Sequence, residues 1–182
     1  MALTQVAGGM LAGSITSSQI SSVAGSTITG SQSIPKNTLP TGSVLQVVQA
    51  TTTSQTSTTS GSFTDTNLSA TITPSSSSSK ILVLVTQCMY ADSGGSDNGG
   101  ATQIVRNSTG IFGSANSNSF YILASSVAAT GMVMYVSMNY LDSPATTSAT
   151  TYKTQMKAEN SSNIVAQVNS NASSIQLLEI SA

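Results

Sequence analysis

Apolar and hydroxyl-bearing residues alternate along most of this chain. Leu68, Ala70 and Ile72 alternate with Ser69, Thr71 and Thr73, the two-residue period of a strand with one face in a core, and Pro74 ends the run. After the turn-forming serines 75–79, Lys80-Ile81-Leu82-Val83-Leu84-Val85-Thr86-Gln87-Cys88-Met89-Tyr90 predicts the strongest strand. Its unbroken apolar stretch predicts that both faces are covered, as in a sandwich or at a subunit contact. Val44-Leu45-Gln46-Val47-Val48 predicts an earlier strand, and later ones are predicted at 102–105, 119–124, 132–141, 151–158, 163–168 and 174–180. Met132 to Met138 has a helical alternative, but Thr130-Gly131 before it and its β-branched residues favour a strand. Eight or nine short strands with turn chemistry between them predict an all-β fold, a jelly-roll β-sandwich, over residues 41–182.

Residues 1–40 differ in texture, being small and polar with isolated apolar residues. Ile15, Thr16, Ser18 and Gln19 recur 13 residues later as Ile28, Thr29, Ser31 and Gln32. Such a segment cannot bury enough surface on its own to offset an ordering cost of about 1–2 kcal/mol per residue. It is either a Ser/Gly linker or a stub of extended, intertwined β structure in which Ile15, Ile20, Ile28 and Ile34 meet their copies on partner chains. Pro35, Pro40 and Gly42 punctuate the boundary with the second region.

Composition narrows the function. Of 182 residues, 36 are Ser and 25 Thr, and the charged residues are five Lys or Arg and six Asp or Glu, a net charge of −1. Five scattered cations provide no clustered basic face, so nucleic acid is not expected as a partner. With no His and one Cys, neither a zinc site nor an internal disulfide is expected. No apolar run approaches 18 residues, so membrane insertion is not expected. The start Met1-Ala2-Leu3-Thr4-Gln5-Val6 lacks the features of a signal peptide.

Catalysis is not expected. Without histidine, the groups able to move protons are Asp65, Asp92, Asp97, Asp142, Glu159 and Glu179, with Cys88 and four lysines. No two carboxylates form a recognisable pair, and neither a nucleophile elbow nor a phosphate-cradling loop occurs. Asp142-Ser143-Pro144 reads as a turn, Asp65 as a local cap, Glu159 with Lys153 and Lys157 as a solvated strand face, and Cys88 as a buried, inert thiol. The loop Asp92-Ser93-Gly94-Gly95-Ser96-Asp97-Asn98-Gly99-Gly100 holds the oxygen ligands and glycines of a calcium-wrapping loop, but its composition favours a long loop between strands. Candidate exposed binding residues are therefore Asp92, Asp97, Asn98, Asn116, Asn118 and Thr146, on loops 93–100, 114–119 and 143–147. Their hydroxyls and amides suit a glycan, although three Phe and five Tyr limit stacking platforms. No cofactor is expected.

Several phrases carry a resemblance. Met1-Ala2-Leu3-Thr4-Gln5-Val6-Ala7-Gly8-Gly9-Met10 and Ser14-Ile15-Thr16-Ser17-Ser18-Gln19-Ile20 resemble tail-fibre and appendage proteins of marine tailed bacteriophages, cyanophages included. So do Leu39-Pro40-Thr41-Gly42-Ser43-Val44-Leu45-Gln46-Val47-Val48, Leu68 to Pro74, Lys80 to Val85, and Tyr140-Leu141-Asp142-Ser143-Pro144. The resemblance implies a homotrimer with a head similar to the tumour-necrosis-factor-like jelly rolls. It also implies location in the virion after assembly in the bacterial cytoplasm, with residues 1–40 attached to other virion proteins and the head toward a host surface glycan. Forty residues make at most a short stalk, which favours a short fibre. A capsid decoration, cement or head-fibre protein is the alternative, and a carbohydrate-binding module is another.

Overall fold

The computed structural model describes residues 39–92, 98–113, 119–122, 131–159 and 163–182. Among these described residues eleven strands occur in chain order: β1 Val44–Thr52, β2 Thr56–Thr58, β3 Thr64–Ile72, β4 Lys80–Asp92, β5 Asn98–Arg106, β6 Thr109–Gly113, β7 Phe120–Ile122, β8 Gly131–Asp142, β9 Thr150–Ala158, β10 Ile164–Ala166 and β11 Ser173–Ile180. A 3-10 turn at Val168–Ser170 separates the last two. All pairings are antiparallel.

Two sheets result. The first runs β1-β11-β4, with β8 along the other edge of β4 and the short β10 and β2 continuing beside the far end of β4. The second runs β3-β9-β5, with β6 and β7 both paired to β5. Strand periodicity explains how they stack. In β3, Thr66, Leu68, Ala70 and Ile72 are buried, and the residues between them are exposed. β9 buries Thr150, Tyr152, Thr154, Met156 and Ala158 in the same way. These faces meet Ile81, Val83 and Val85 of β4, Met138 of β8, and Ile175 and Leu177 of β11 in one core cluster. A second cluster, around Met89, Met156, Phe120 and Ile164, fills the other end. The chain is thus an all-β protein of two antiparallel sheets, in the arrangement of a β-sandwich.

The strand predicted at 132–141 is β8, and the helical alternative for Met132 to Met138 is not adopted. Two strands have no counterpart in the sequence reading. β2 contains only Thr and Ser. β6 follows β5 through a two-residue hairpin, Arg106 pairing with Thr109 across Asn107-Ser108. Asn107 takes the φ of +54° that such a turn demands. β4 also departs from expectation. Its inner residues Ile81, Val83 and Val85 are buried, but Leu82 and Leu84 on its outer face are only partly covered and Thr86 is exposed, so within one subunit a single face of this end of the strand is closed.

Inside the sandwich, Gln87 Oε1 has no hydrogen-bond partner among the described residues, whereas the Gln167 amide has four. Gln167, with φ +54° and fully buried, bridges the sheets. Its amide donates to the carbonyls of Ser54 (3.1 Å) and Thr66 (3.0 Å) and accepts from Gln87 Nε2 (3.1 Å) and Ser173 Oγ (2.9 Å). Without these bonds the buried amide would cost a few kcal/mol. Cys88 is buried beside this plug, and burial pushes its thiol upward in pKa despite hydrogen bonds that favour the thiolate.

Candidate functional site

Three of the sequence-predicted binding residues lie among the described residues. Asp92 ends β4, half-buried, and its carbonyl accepts the side-chain amide of Asn98. Asn98 is not on an exposed loop: it opens β5, is fully buried, and its Oδ1 accepts the Gly99 N–H at 2.6 Å. Its amide is spent on tying β4 to β5, so it offers nothing to a ligand. Thr146 is half-buried, and its hydroxyl accepts the Ser148 N–H at 3.0 Å. Asp92 pairs with Gly131 at one end of β8, whereas the loop holding Thr146 begins after Asp142 at the other end. Twelve strand residues separate those ends by about 36 Å, so Asp92 and Thr146 do not share a site within one subunit. Asp97, Asn116, Asn118, Ile15, Ile20, Ile28 and Ile34 lie outside the described residues, as does most of the glycine-rich loop.

Two carboxylates, Asp142, which reads as a turn residue in the sequence, and Glu179, hold the sandwich together. Asp142, 5% exposed at the end of β8, accepts from Arg106 Nη1 (2.8 and 2.9 Å) and from the hydroxyl of Tyr152 (2.7 Å). One carboxylate thereby joins β8 to β5 and β9. Burial first, then the Asp142 carboxylate, pushes the Tyr152 phenol far above its ordinary pKa. Glu179 of β11 is fully buried and accepts from the Ser75 N–H (2.7 Å), Ser75 Oγ (2.6 Å) and Gln46 Nε2 (2.6 Å). Burial alone would raise it, but these hydrogen bonds outweigh burial and hold it below the usual glutamate range. The serine turn is therefore anchored on Glu179. Nothing local in the sequence signals either link, because both partners are distant in the chain.

The two outer faces of the sandwich differ in chemistry. On the β3-β9-β5 sheet, Asp65 accepts from Lys153 Nζ (2.7 Å) and Gln155 Nε2 (2.8 Å), and Gln103 donates to Gln155 Oε1 (2.8 Å). Desolvation would raise Asp65, and the Lys153 and Gln155 hydrogen bonds overcome it and lower its pKa. Pairing between β3 and β9 shifts register between Asp65 and Ser69, with Asn67 at φ +62°. This bulge opens a cleft of about 290 Å³ lined by Asp65, Asn67, Leu68, Ser69, Lys153 and Thr154. Lys157 stands over the Phe63 ring at 5.3 Å.

The outer face of β1-β11-β4-β8 is built from rows that cross four strands. Val47, Leu178, Leu82 and Leu141 are mutually paired and form an apolar row. The next row is Gln49, Gln176, Leu84 and Asn139, and the one after is Thr51, Ser174, Thr86 and Ser137. Beyond these, Cys88 pairs with Tyr135 and Tyr90 with Val133. Val47 is 59% exposed, Leu141 48%, Tyr135 56% and Val133 49%.

No protein-family model matches the chain, and no curated protein matches it significantly. Among the described residues, no three of His, Cys, Asp or Glu gather as a metal site, and no helix is long and apolar enough to cross a membrane.

Proposed function

We propose that this chain is a non-enzymatic structural protein of a bacteriophage virion, a short trimeric tail fibre or appendage that takes part in host attachment. In this reading residues 1–40 form an anchoring stalk and residues 41–182 a jelly-roll head. The observation that carries it is the outer face of the β1-β11-β4-β8 sheet, which exposes an apolar row and carries no charged side chain between Lys80 and Asp92. A face of this kind suits a subunit that is completed by others. The strand order supports a jelly roll, with β1-β11-β4-β8 facing β3-β9-β5-β6 as in two interlocked Greek keys. The phrases shared with phage appendage proteins support the location. The carboxylates that anchor the fold, Asp142 and Glu179, are occupied by structural hydrogen bonds, in keeping with a role other than catalysis.

The cleft at Asp65 and Lys153 favours a second role within the same reading, weak recognition of a saccharide by the polar sheet face. A carboxylate, an ammonium and two amides side by side form a donor and acceptor set for sugar hydroxyls.

Counting copies on purified particles, together with adsorption in the presence of purified chain, tests the proposal. A tail appendage gives a few dozen copies or fewer, and free chain competes for adsorption. Hundreds of copies with no competition place the protein on the capsid as a decoration or cement protein. Absence from particles overturns the virion reading.

A further inference from the structure

We propose that the free edge of β8 docks an extended strand of a different polypeptide, an uncharged segment in which apolar and hydroxyl residues alternate. The proposal rests on the trimeric virion reading above and adds to it a contact made by the head, apart from residues 1–40. Three observations carry it.

First, β8 is a long edge with nothing to block it. Its 12 residues, Gly131 to Asp142, pair with β4 without a register shift. Among the described residues no strand pairs with its other side, so every second residue turns its N–H and C=O away from β4. Proteins ordinarily block such an edge with a charge, a proline, a bulge or a very short strand. The other edges among the described residues have these devices. β2 and β7 have three residues each, and β6 has five and a bulge. β3 shifts register between Asp65 and Ser69 and presents the Asp65–Lys153 pair, and β1 is bulged between Val44 and Gln46. β8 has no proline, no bulge and no charge before Asp142, whose carboxylate is turned to Arg106 and Tyr152.

Second, the row that β8 directs between the sheets is unfinished. Met134, Val136 and Tyr140 pack on the core yet are only partly buried, and Met132 is 43% exposed. A strand added beside β8 lays every second side chain along this row, so those positions are apolar, and the methionines adapt to their shape. Its remaining side chains lie beside Tyr135, Ser137 and Asn139, which are exposed, so hydroxyls suit them and a charge there would find no counter-charge. Third, symmetry selects a different chain. A three-fold assembly has no two-fold axis on which β8 meets its own copy. The other edges of a neighbouring copy are too short to cover it: β1 is regular only over Gln46–Thr52, and β3 is broken at its centre.

The test measures hydrogen exchange of the β8 amides by mass spectrometry, on the purified full-length chain and on the chain in purified particles, with the native mass of the free chain recorded alongside. The expected result is a trimer in which every second β8 amide exchanges as fast as unpaired backbone, and in which those amides slow by at least about tenfold in the particle. A free trimer with all β8 amides protected, or a particle in which they stay fast, overturns the edge and leaves the trimeric reading standing. A free dimer with β8 protected overturns both, because the edge then meets its own copy. Val136→Lys provides a second readout. An inward-pointing lysine bars strand addition, so the variant, its fold checked by circular dichroism, is expected in particles at a level at least about fivefold below wild type. Ser69→Lys, on the broken β3 edge, is the control and is incorporated as wild type. Equal incorporation of the folded Val136→Lys variant and the control overturns the proposal.

Discussion

Asp142 provides the sharpest test of how the two sheets are joined. Its carboxylate is 7% exposed at the side chain and holds two partners: the Arg106 guanidinium, 29% exposed, and the buried Tyr152 hydroxyl. Asp142→Ala leaves the phenol without an acceptor and the guanidinium without a counter-charge. Breaking a fully buried pair in this way costs about 3–5 kcal/mol, and the partial exposure of Arg106 lets water recover some of it, so the expected loss is about 2–3 kcal/mol. Tyr152→Phe removes one hydrogen bond and leaves the ion pair intact, for about 1–2 kcal/mol. The double variant should lose less than the sum, because both changes break the same bond. Urea unfolding followed by tyrosine fluorescence measures this, at one fixed protein concentration so that association does not contribute a mass-action difference. With a slope near 2 kcal/mol/M, the Asp142→Ala midpoint should fall by about 1 M with the slope unchanged. A fall below about 0.3 M, or strict additivity of the two single changes, would refute the view that Asp142 is the joint between β8, β5 and β9.

Other consequences follow from the same geometry. Glu179 has a lowered folded-state pKa, so its contribution is present above the unfolded glutamate value near 4.3 and is lost as pH falls through the folded value; Glu179→Gln should flatten that acid limb in pH-dependent melting. Tyr152 has the opposite sign, its contribution being full below about pH 10 and declining above, and Tyr152→Phe should be less sensitive to alkali in the same assay. Gly113→Ala should destabilise by about 1–3 kcal/mol in urea unfolding, since its φ is +125° and a Cβ there would meet the Thr102 carbonyl at 2.5 Å. Cys88, buried with a raised pKa, should react with a thiol reagent only as fast as the protein unfolds, and prompt labelling of the native chain would contradict its placement.

Much of the fold was legible because strand alternation is a local signal. Leu68, Ala70 and Ile72 point inward as their spacing demands, and Ser174 to Ile180 does the same in β11. β2 was not legible, because Thr56-Ser57-Thr58 has no apolar member and becomes a strand only by pairing with β10. β6 had a signal in Asn107-Ser108, a dipeptide suited to a tight hairpin, but Gly110 and Gly113 within its five residues weaken the strand pattern. The roles of Asp142 and Glu179 depend on partners 36 and 104 residues away. Asn98 looked like loop chemistry from its glycine neighbours, but glycines also let a strand approach another closely: a Cβ at Gly100 would lie 2.8 Å from the Lys157 carbonyl. The rows on the outer face were half visible. Leu82 and Leu84 broke the polar alternation expected of a solvated face, while the alignment of Val47, Leu178 and Leu141 with them depends on registers that only the assembled sheet defines.

The central claim is that this sandwich is one part of a larger assembly of identical copies. Light scattering on the purified full-length chain, across a dilution series, tests it directly. The account predicts a stable species near three times 18.4 kDa that persists on dilution. A species of 18.4 kDa at every concentration would contradict it.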